Sequence, residues 1–439
     1  MRAKSTTGQQ SKTIVVVEPT YRDAEHAPVN AAMLQALSLA CPGHGLVFAA
    51  TREHCQAIQD VTGATASALA FREIAVLPPG GISLRRMRAQ WRAIAGAVRQ
   101  HAPQTAVLLS SGPETFFVCR ALVTAFPSLR LFVIQHGGLA EIVGWRSRDP
   151  RRRLFDYRSG LVAATHSRIY LIVLEEHIKQ AACRSRTGPH FHVWPHPLPP
   201  NEHAPCIRWN PGPTLRIASV GAVKRAKGFA DFLLLARGAA NGPFKFHLVG
   251  PLYDRFDQAE LTGIERPANR LGRAEYLYEL RRADYAFMSF KGTYDLTASG
   301  SLLDCVGQLK PIIATRTPLL ETLAEKYGPI GFLCPDIDAL ARLLAAPERL
   351  RDRAAYSQFQ HSLDTMRRDR SPAALAPIIH RHFIAPSFAP DHVGRSSVSS
   401  QHRPWTAGGS WDGSFVTDQD SQSARSSRIG SARGQIASP

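Results

Sequence analysis

What the chain has little of narrows its class before any motif is considered. Its seven cysteines (Cys41, Cys55, Cys119, Cys183, Cys206, Cys305 and Cys334) are scattered with no CxxC pair. That argues against a disulfide frame and a zinc site, and for a reducing compartment. No apolar run approaches the roughly 18 residues of a spanning helix. The first ten residues, Met1 to Gln10, hold no apolar core, so no secretory signal is expected and the expected address is the cytoplasm. Acid is scarce too: 35 Asp and Glu face 53 Lys and Arg, a net charge of +18. Such a surface favours an anionic partner, whether nucleic acid, acidic lipid or a phosphorylated substrate. No recognition motif or aromatic-interleaved basic patch accompanies the charge, so nucleic acid is not expected. No Asp-x-Asp stands at a strand end, since Asp336-Ile337-Asp338 comes late and reads as a helix start. No metal or other cofactor is therefore expected.

What is present describes a globular chain of 439 residues with 44% hydrophobic content, long enough for two domains. Apolar β-branched runs alternate with helical patterns, the mark of an α/β fold with parallel sheets covered by helices. In the first half, strands are expected at 14–17, 46–50, 74–77, 106–109, 131–134 and 169–173, with a helix over about Val29 to Leu39. The Pro-rich stretch from Trp194 to Pro213 reads as a stiff connection. The alternation then restarts, with strands at 215–220, 246–249, 285–288, 311–314 and about 331–333, and a helix over Phe229 to Ala236. The expected division is a disordered start (1–12), an N-terminal Rossmann-like domain (13–200), a linker (201–213), a C-terminal Rossmann-like domain (214–365), a helix crossing back (366–385) and a tail (386–439). That tail, rich in Ser, Gly and Arg, has too few apolar residues to fold.

Two segments of the second half carry chemistry. In Ser219-Val220-Gly221-Ala222-Val223-Lys224-Arg225-Ala226-Lys227-Gly228-Phe229 a strand ends, a basic loop follows and a helix opens. Gly221 with Lys224, Arg225 and Lys227 could clamp a diphosphate, and Gly250, at the end of the next strand, would line the same cleft. The plain alternative is a solvated basic loop. In Thr297-Ala298-Ser299-Gly300-Ser301-Leu302-Leu303-Asp304, Ser299 can cap a helix and Gly300 allows close approach. The first-turn N–H groups at Gly300 and Ser301 attract anions, and Asp304 is placed to accept from sugar hydroxyls. This segment alone could equally be an ordinary loop-to-helix junction. In the first half, His136 follows a strand and precedes Gly137-Gly138, where it could reach a substrate or act as a base. Asp23, Glu25 and His26 give the loop after the first strand similar polar reach.

Gly221 to Gly228, Leu248-Val249-Gly250, and Leu302-Leu303-Asp304 with Lys310-Pro311-Ile312-Ile313-Ala314 together resemble the donor-binding half of GT-B glycosyltransferases, most of all family 4 (glycosyl transferases group 1). The likeness covers roughly Leu215 to Leu344. It implies two Rossmann-like domains facing a cleft, with a nucleotide-diphosphate sugar as donor held by the C-terminal one. It also implies hexosyl transfer, with retention, to a glycan or lipid-linked acceptor in polysaccharide or glycoconjugate synthesis. By this resemblance Lys227 is the diphosphate lysine, and Asp304 replaces the second glutamate of the family's Glu-x7-Glu, which holds the ribose. His136 stands where the family positions the donor sugar. The chain departs from the family at Ala222, where Lys224 or Arg225 would compensate for an arginine. It departs again at Leu296, where the first glutamate would fall, with Asp295 one residue earlier as the nearest acid. Two rival readings are a GT-B sugar-nucleotide epimerase and a non-catalytic sugar-nucleotide binder.

A membrane surface is a further expected partner. From Leu84 to Val98 the apolar residues Leu84, Met87, Trp91, Ile94 and Val98 share a helical face, with Arg85, Arg88, Arg92 and Arg99 on another. The basic loop Arg146 to Phe155 adds to this charge. The apolar stripe reads as core and the arginine stripe as exposed, which suits a peripheral enzyme on the inner face of the plasma membrane.

Overall fold

Short β-branched and aromatic runs form two parallel sheets in the computed structural model of the chain. It describes residues 13–24, 26–63, 69–78, 83–137, 139, 156–183, 191–199, 204–205, 209–267, 269, 271–290 and 296–384. The expected disordered ends and the basic loop 146–155 lie outside these residues. The first sheet grows from β1 (Thr13–Val17), α1 (Ala27–Ala40), β2 (Gly45–Ala50), α2 (Arg52–Thr62), β3 (Leu69–Glu73), α3 (Leu84–His101) and β4 (Thr105–Leu108). It continues through α4 (Pro113–Ala125), β5 (Arg130–Gln135), α5 (Tyr157–Ala164), β6 (Ile169–Val173), α6 (Glu176–Cys183) and β7 (Phe191–Val193). Its strand order is β3-β2-β1-β4-β5-β6-β7.

The second sheet repeats this arrangement with β8 (Leu215–Val220), a 3-10 turn (Arg225–Lys227), α7 (Phe229–Gly238), β9 (Phe244–Val249), β10 (Ile264–Glu265), α8 (Arg273–Arg282) and β11 (Tyr285–Met288). Then come α9 (Gly300–Gly307), β12 (Ile312–Thr315), α10 (Pro318–Tyr327), β13 (Gly331–Cys334), α11 (Ile337–Leu344), α12 (Pro347–Leu350), α13 (Arg353–Asp369) and α14 (Pro372–Ile384). The order is β10-β9-β8-β11-β12-β13. In both sheets the order reverses beside the first strand, where α/β folds open a crevice at the carboxyl ends of their strands.

Val15, Val16 and Val17 of β1 are fully buried, as expected of a strand covered on both faces. One face packs on α3 to α6, the other on α1, α2 and α14. Helix α14 follows the C-terminal domain in sequence, yet Leu375, Ala376, Ile379 and Phe383 lie in the N-terminal core beside Leu34 and Leu37 of α1. Just before it, buried Arg370 makes a two-pronged pair with Glu175, both N–O distances 2.7 Å, and its carbonyl accepts from the Leu198 amide at 2.9 Å. This two-pronged pair ties the chain down where it crosses between domains, with Arg370 Nε left without a hydrogen-bond partner among the described residues. The start of the Pro-rich stretch is anchored to both domains, by Trp194 in the N-terminal core and Leu198 in the C-terminal one.

One expected strand is corrected. Residues 74–77 form no strand; the edge strand is β3 just before them. Ile74 donates one last ladder bond to Ala50 at 2.8 Å, and Ile74 and Val76 then pack on the core that covers α3. Their apolar character comes from that packing. In α3 itself, Ile94 and Val98 are buried and Met87 and Trp91 pack against the core, while Leu84 is 74% exposed. Arg85, Arg88, Arg92 and Arg99 are exposed. No described helix is long and apolar enough to cross a membrane.

Candidate active site

The carboxyl ends of the two sheets face each other across a cleft of about 460 Å³. Its C-terminal wall is built on glycines. Gly221 ends β8 with φ +84°, and a Cβ there would lie 2.9 Å from Ser301. Gly250, expected to line the cleft, ends β9 behind it with φ +143°, where a Cβ would lie 2.0 Å from the Gly221 carbonyl oxygen; its neighbour Pro251 lines the cleft instead. Only glycine lets these two strand ends and the start of α9 converge. Gly228, φ +73°, fits against Ser289 in the same way and opens α7.

Helix α9 points its N-terminus into this cleft. Ser299 caps it, accepting from the Leu302 amide at 3.3 Å, and Gly300 and Ser301 form its first turn. A Cβ on Gly300 would meet nothing within 4 Å, so the space over the helix end is open. Lys227, in the 3-10 turn, lines the cleft and also a small adjoining pocket with Lys224 and Ser301. Lys224 reaches over the Tyr253 ring, 4.9 Å from its centroid. The partial positive charge of the helix end and Lys227 share one wall, while Lys224, expected in the clamp, lines the adjoining pocket and not the cleft itself.

Arg225, expected in the clamp, is not in the cleft. Its guanidinium pairs with Glu260 at 2.8 Å and stacks 4.5 Å over the Phe256 ring. The cation that sequence reasoning missed is Arg273, at the start of α8, which lines the cleft and binds Asp304 at 2.7 Å. Tyr276, one turn on, donates its hydroxyl to the other Asp304 oxygen at 2.8 Å. Burial and the Asp304 charge hold the Tyr276 hydroxyl well above its usual range, so it stays protonated as a donor. A carboxylate has about four lone-pair sites, so Asp304 is oriented by two partners and keeps acceptor capacity for a ligand.

The N-terminal wall is aromatic and imidazole-rich. His26 caps α1 in a left-handed conformation, φ 64°, and stacks on Tyr21 with centroids 3.7 Å apart. The His136 ring meets His26 edge-on at 4.7 Å, and His196 lies 6.1 Å beyond. His136 Nε2 donates to the Leu109 carbonyl at 2.7 Å, so the neutral ring leaves Nδ1 as an acceptor. Burial, then the neighbouring His136, holds His26 and His196 well below the ordinary imidazole range. Burial also lowers His136, against the opposing charge of Glu18. At neutral pH the three rings are uncharged.

Buried Glu18, which follows β1, organises this wall. Its carboxylate accepts from the amides of Thr20 (2.9 Å) and Tyr21 (3.0 Å), from Asn30 Nδ2 (3.0 Å) and from the Ser110 hydroxyl. Asn30 spends its other hydrogen on His54 Nε2 at 3.0 Å, and His54 Nδ1 donates to the Asp23 carbonyl at 2.5 Å. Asp23 thus serves through its backbone; its side chain is exposed and outside the cleft lining. Glu25, Gly138 and Asp295 lie outside the described residues. Leu296, where the family has its first glutamate, packs into the N-terminal core, and Ala298 does likewise on the sheet's other face. Among the described cleft-lining residues Asp304 is the sole carboxylate.

The sequence matches no protein-family model and no curated protein. Solved structures do match. Sucrose-phosphate synthase from Thermosynechococcus elongatus superposes with a TM-score of 0.60 at 13% identity, over 84% of this chain and 98% of that one. Anabaena HepE, solved in complex with UDP-glucose, gives 0.59 at 10% identity over 84% and 99%. WaaG, a glycosyltransferase involved in lipopolysaccharide biosynthesis, gives 0.58 at 14% identity over 84% and 99%. With two parallel α/β sheets in the same strand order facing one cleft, this chain has the GT-B fold that these glycosyltransferases share.

Proposed function

We propose that the protein is a glycosyltransferase that takes a sugar from a nucleotide-diphosphate donor. The observation that carries this reading is the division of the cleft: a cationic, glycine-floored helix end on one wall and three uncharged histidines on the other. The diphosphate would lie at Gly221, Lys227 and the first turn of α9, with Lys224 nearby. There Lys227 and the Gly300 and Ser301 amides offset the charge that develops as the leaving group departs. Asp304, oriented by Arg273 and Tyr276, would accept from the ribose. HepE, solved with UDP-glucose, supports this class of donor.

The acceptor would enter against His26 and His136. Neutral imidazoles there accept hydrogen bonds from sugar hydroxyls, through Nδ1 in the case of His136, without drawing in an anion. The family likeness supports hexose transfer with retention, and the reading calls on no metal. A glycan or lipid-linked acceptor in polysaccharide or glycoconjugate synthesis suits the exposed Leu84 beside Arg85, Arg88 and Arg92. These residues would rest on the anionic inner face of the plasma membrane, at roughly 1 kcal/mol per basic residue near the surface.

Leu296 supports a second reading, a GT-B protein that binds sugar nucleotides without transfer. Its side chain is committed to the N-terminal core, so it supplies no carboxylate to a donor sugar. One experiment tests both. Nucleotide diphosphates and their sugars are screened by thermal shift, and stabilising donors are then assayed for transfer to glycan acceptors and for hydrolysis. Stabilisation with turnover supports transfer, and stabilisation with neither transfer nor hydrolysis supports the binder. No stabilisation by any nucleotide sinks both.

A further inference from the structure

Away from the cleft, at the free edge of the first sheet, a groove of about 390 Å³ is lined by Lys179 of α6, His192 and Val193 of β7, and Ile378, Arg381 and His382 of α14. Its polar side chains are all cationic or imidazole, and no carboxylate is among the described lining residues. Buried Trp194 donates its indole Nε1–H to His382 Nδ1 at 2.8 Å. That bond assigns the hydrogen of the neutral His382 ring to Nε2, making it a donor toward any ligand. His192 meets the same ring edge-on at 4.8 Å, which limits its rotation.

The strand contributes as well. The Trp194 amide bonds to the Val173 carbonyl of β6. In a parallel ladder successive amides alternate in direction, so the Val193 peptide faces the open edge. Burial, with the nearby charges of Arg381 and Lys179, keeps His382 below the ordinary imidazole range. Lys179 and Arg381 bring positive charge here with no counter-charge among the described lining residues, on a frame of strand edge and packed helix. Val193 and Ile378 provide a partly apolar floor.

We propose that this groove binds a phosphate group, held between Lys179 and Arg381 and accepting from His382 Nε2–H and the Val193 amide. A guanidinium and an ammonium converging on one oxyanion suit phosphate, whose several oxygens can engage both at once. The phosphate could belong to a soluble phosphate or phosphate ester, or to a phospholipid headgroup whose acyl chain continues over the apolar floor.

The test uses the full-length protein and inorganic phosphate at constant ionic strength, followed through the long-range 1H–15N imidazole signals of His382 and His192. A saturable shift is expected at His382, with affinity weakened at least about tenfold in the K179A/R381A double variant. If that variant melts lower than the parent, K179M/R381M keeps the apolar stems and serves in its place. No saturable shift in the parent, or equal affinity in the charge-removed variant, overturns the proposal. Sedimentation with phosphatidate-containing vesicles then separates the sources. Co-sedimentation lost with the two cations supports a headgroup, and phosphate binding without co-sedimentation supports a soluble phosphate.

Discussion

At the carboxyl ends of β1 and β8, which hold matching places in their sheets, the chain puts opposite chemistries. After β1 comes Glu18, fully buried and saturated by donors from its own loop, from α1 and from the end of β4. After β8 comes Gly221, with no side chain, then a basic turn facing open space. The first end spends its polar capacity inside the protein, and what it presents to the cleft is shape and neutral rings. The second leaves helix amides and lysine for something that enters. One fold thus pairs a wall fixed by internal hydrogen bonds with a wall that awaits an anion. Substitutions in the buried Glu18 network behind the first wall should act on stability, and those on the second wall on nucleotide binding and turnover.

The largest effect should come from Lys227→Ala. Removing a preformed cation from a developing diphosphate typically costs 10²–10³-fold or more in turnover, about 3–4 kcal/mol. The expected result is a loss of kcat/KM of that order with an unchanged melting temperature. Turnover that survives intact with the correct donor would show that the lysine wall is not the phosphate site. Next comes Glu18→Gln, which puts an amide NH₂ among groups that already donate to this site. Facing donor against donor in a buried network should cost about 2–4 kcal/mol, read as a lower denaturant midpoint. Nucleotide affinity should be unchanged wherever the variant remains folded; a fall in affinity with no loss of stability would erase the contrast between the walls.

The contrast was only partly legible in the sequence, and distance along the chain explains which part. Gly221, Lys227, Ser299 and the start of α9 are local features: a strand end, a turn and a cap within a dozen residues each. They were read correctly as elements and come together at the cleft. Asp304 was visible, but its partners Arg273 and Tyr276 lie 31 and 28 residues earlier. The Glu18 network depends on Ser110, 92 residues on, and no spacing announces that contact. The apolar run at 74–77 misled because burial beside α3 makes the same demand on composition as burial in a strand. Strands β7 and β10, three and two residues long, carry too little periodicity to stand out.

Protonation offers a subtler probe of buried rings in both halves. His247 of β9 is buried with neither ring nitrogen hydrogen-bonded, and burial lowers its pKa from 6.5 to about 4. A base whose folded value lies below its unfolded one makes the unfolded state bind more protons. Stability is therefore complete above about pH 6.5 and falls as the pH drops toward 4. His26, His136 and His196 act in the same direction. From pH 7.5 to pH 5 the His247 contribution is about 2 kcal/mol. His247→Leu should remove that share of the acid sensitivity, so parent and variant should diverge in melting temperature as the pH falls. Parallel curves would mean that His247 is not held neutral by burial.

The smallest effect should come from Arg225→Ala, and its smallness is informative. Read from the sequence, Arg225 stands in the same basic turn as Lys227, and removing either should weaken a bound diphosphate. In the fold the two part company: Lys227 lines the cleft, while Arg225 is half-exposed, paired with Glu260 and laid over Phe256. Exposed ion pairs contribute little, and charge at that position is screened from the cleft by solvent. Nucleotide affinity and melting temperature should both match the parent within error at physiological salt. A drop in affinity comparable to that of Lys227→Ala would mean that the turn rearranges when the donor binds, bringing Arg225 over from Glu260. The C-terminal wall would then be shaped by its ligand, unlike the wall that Glu18 holds in place.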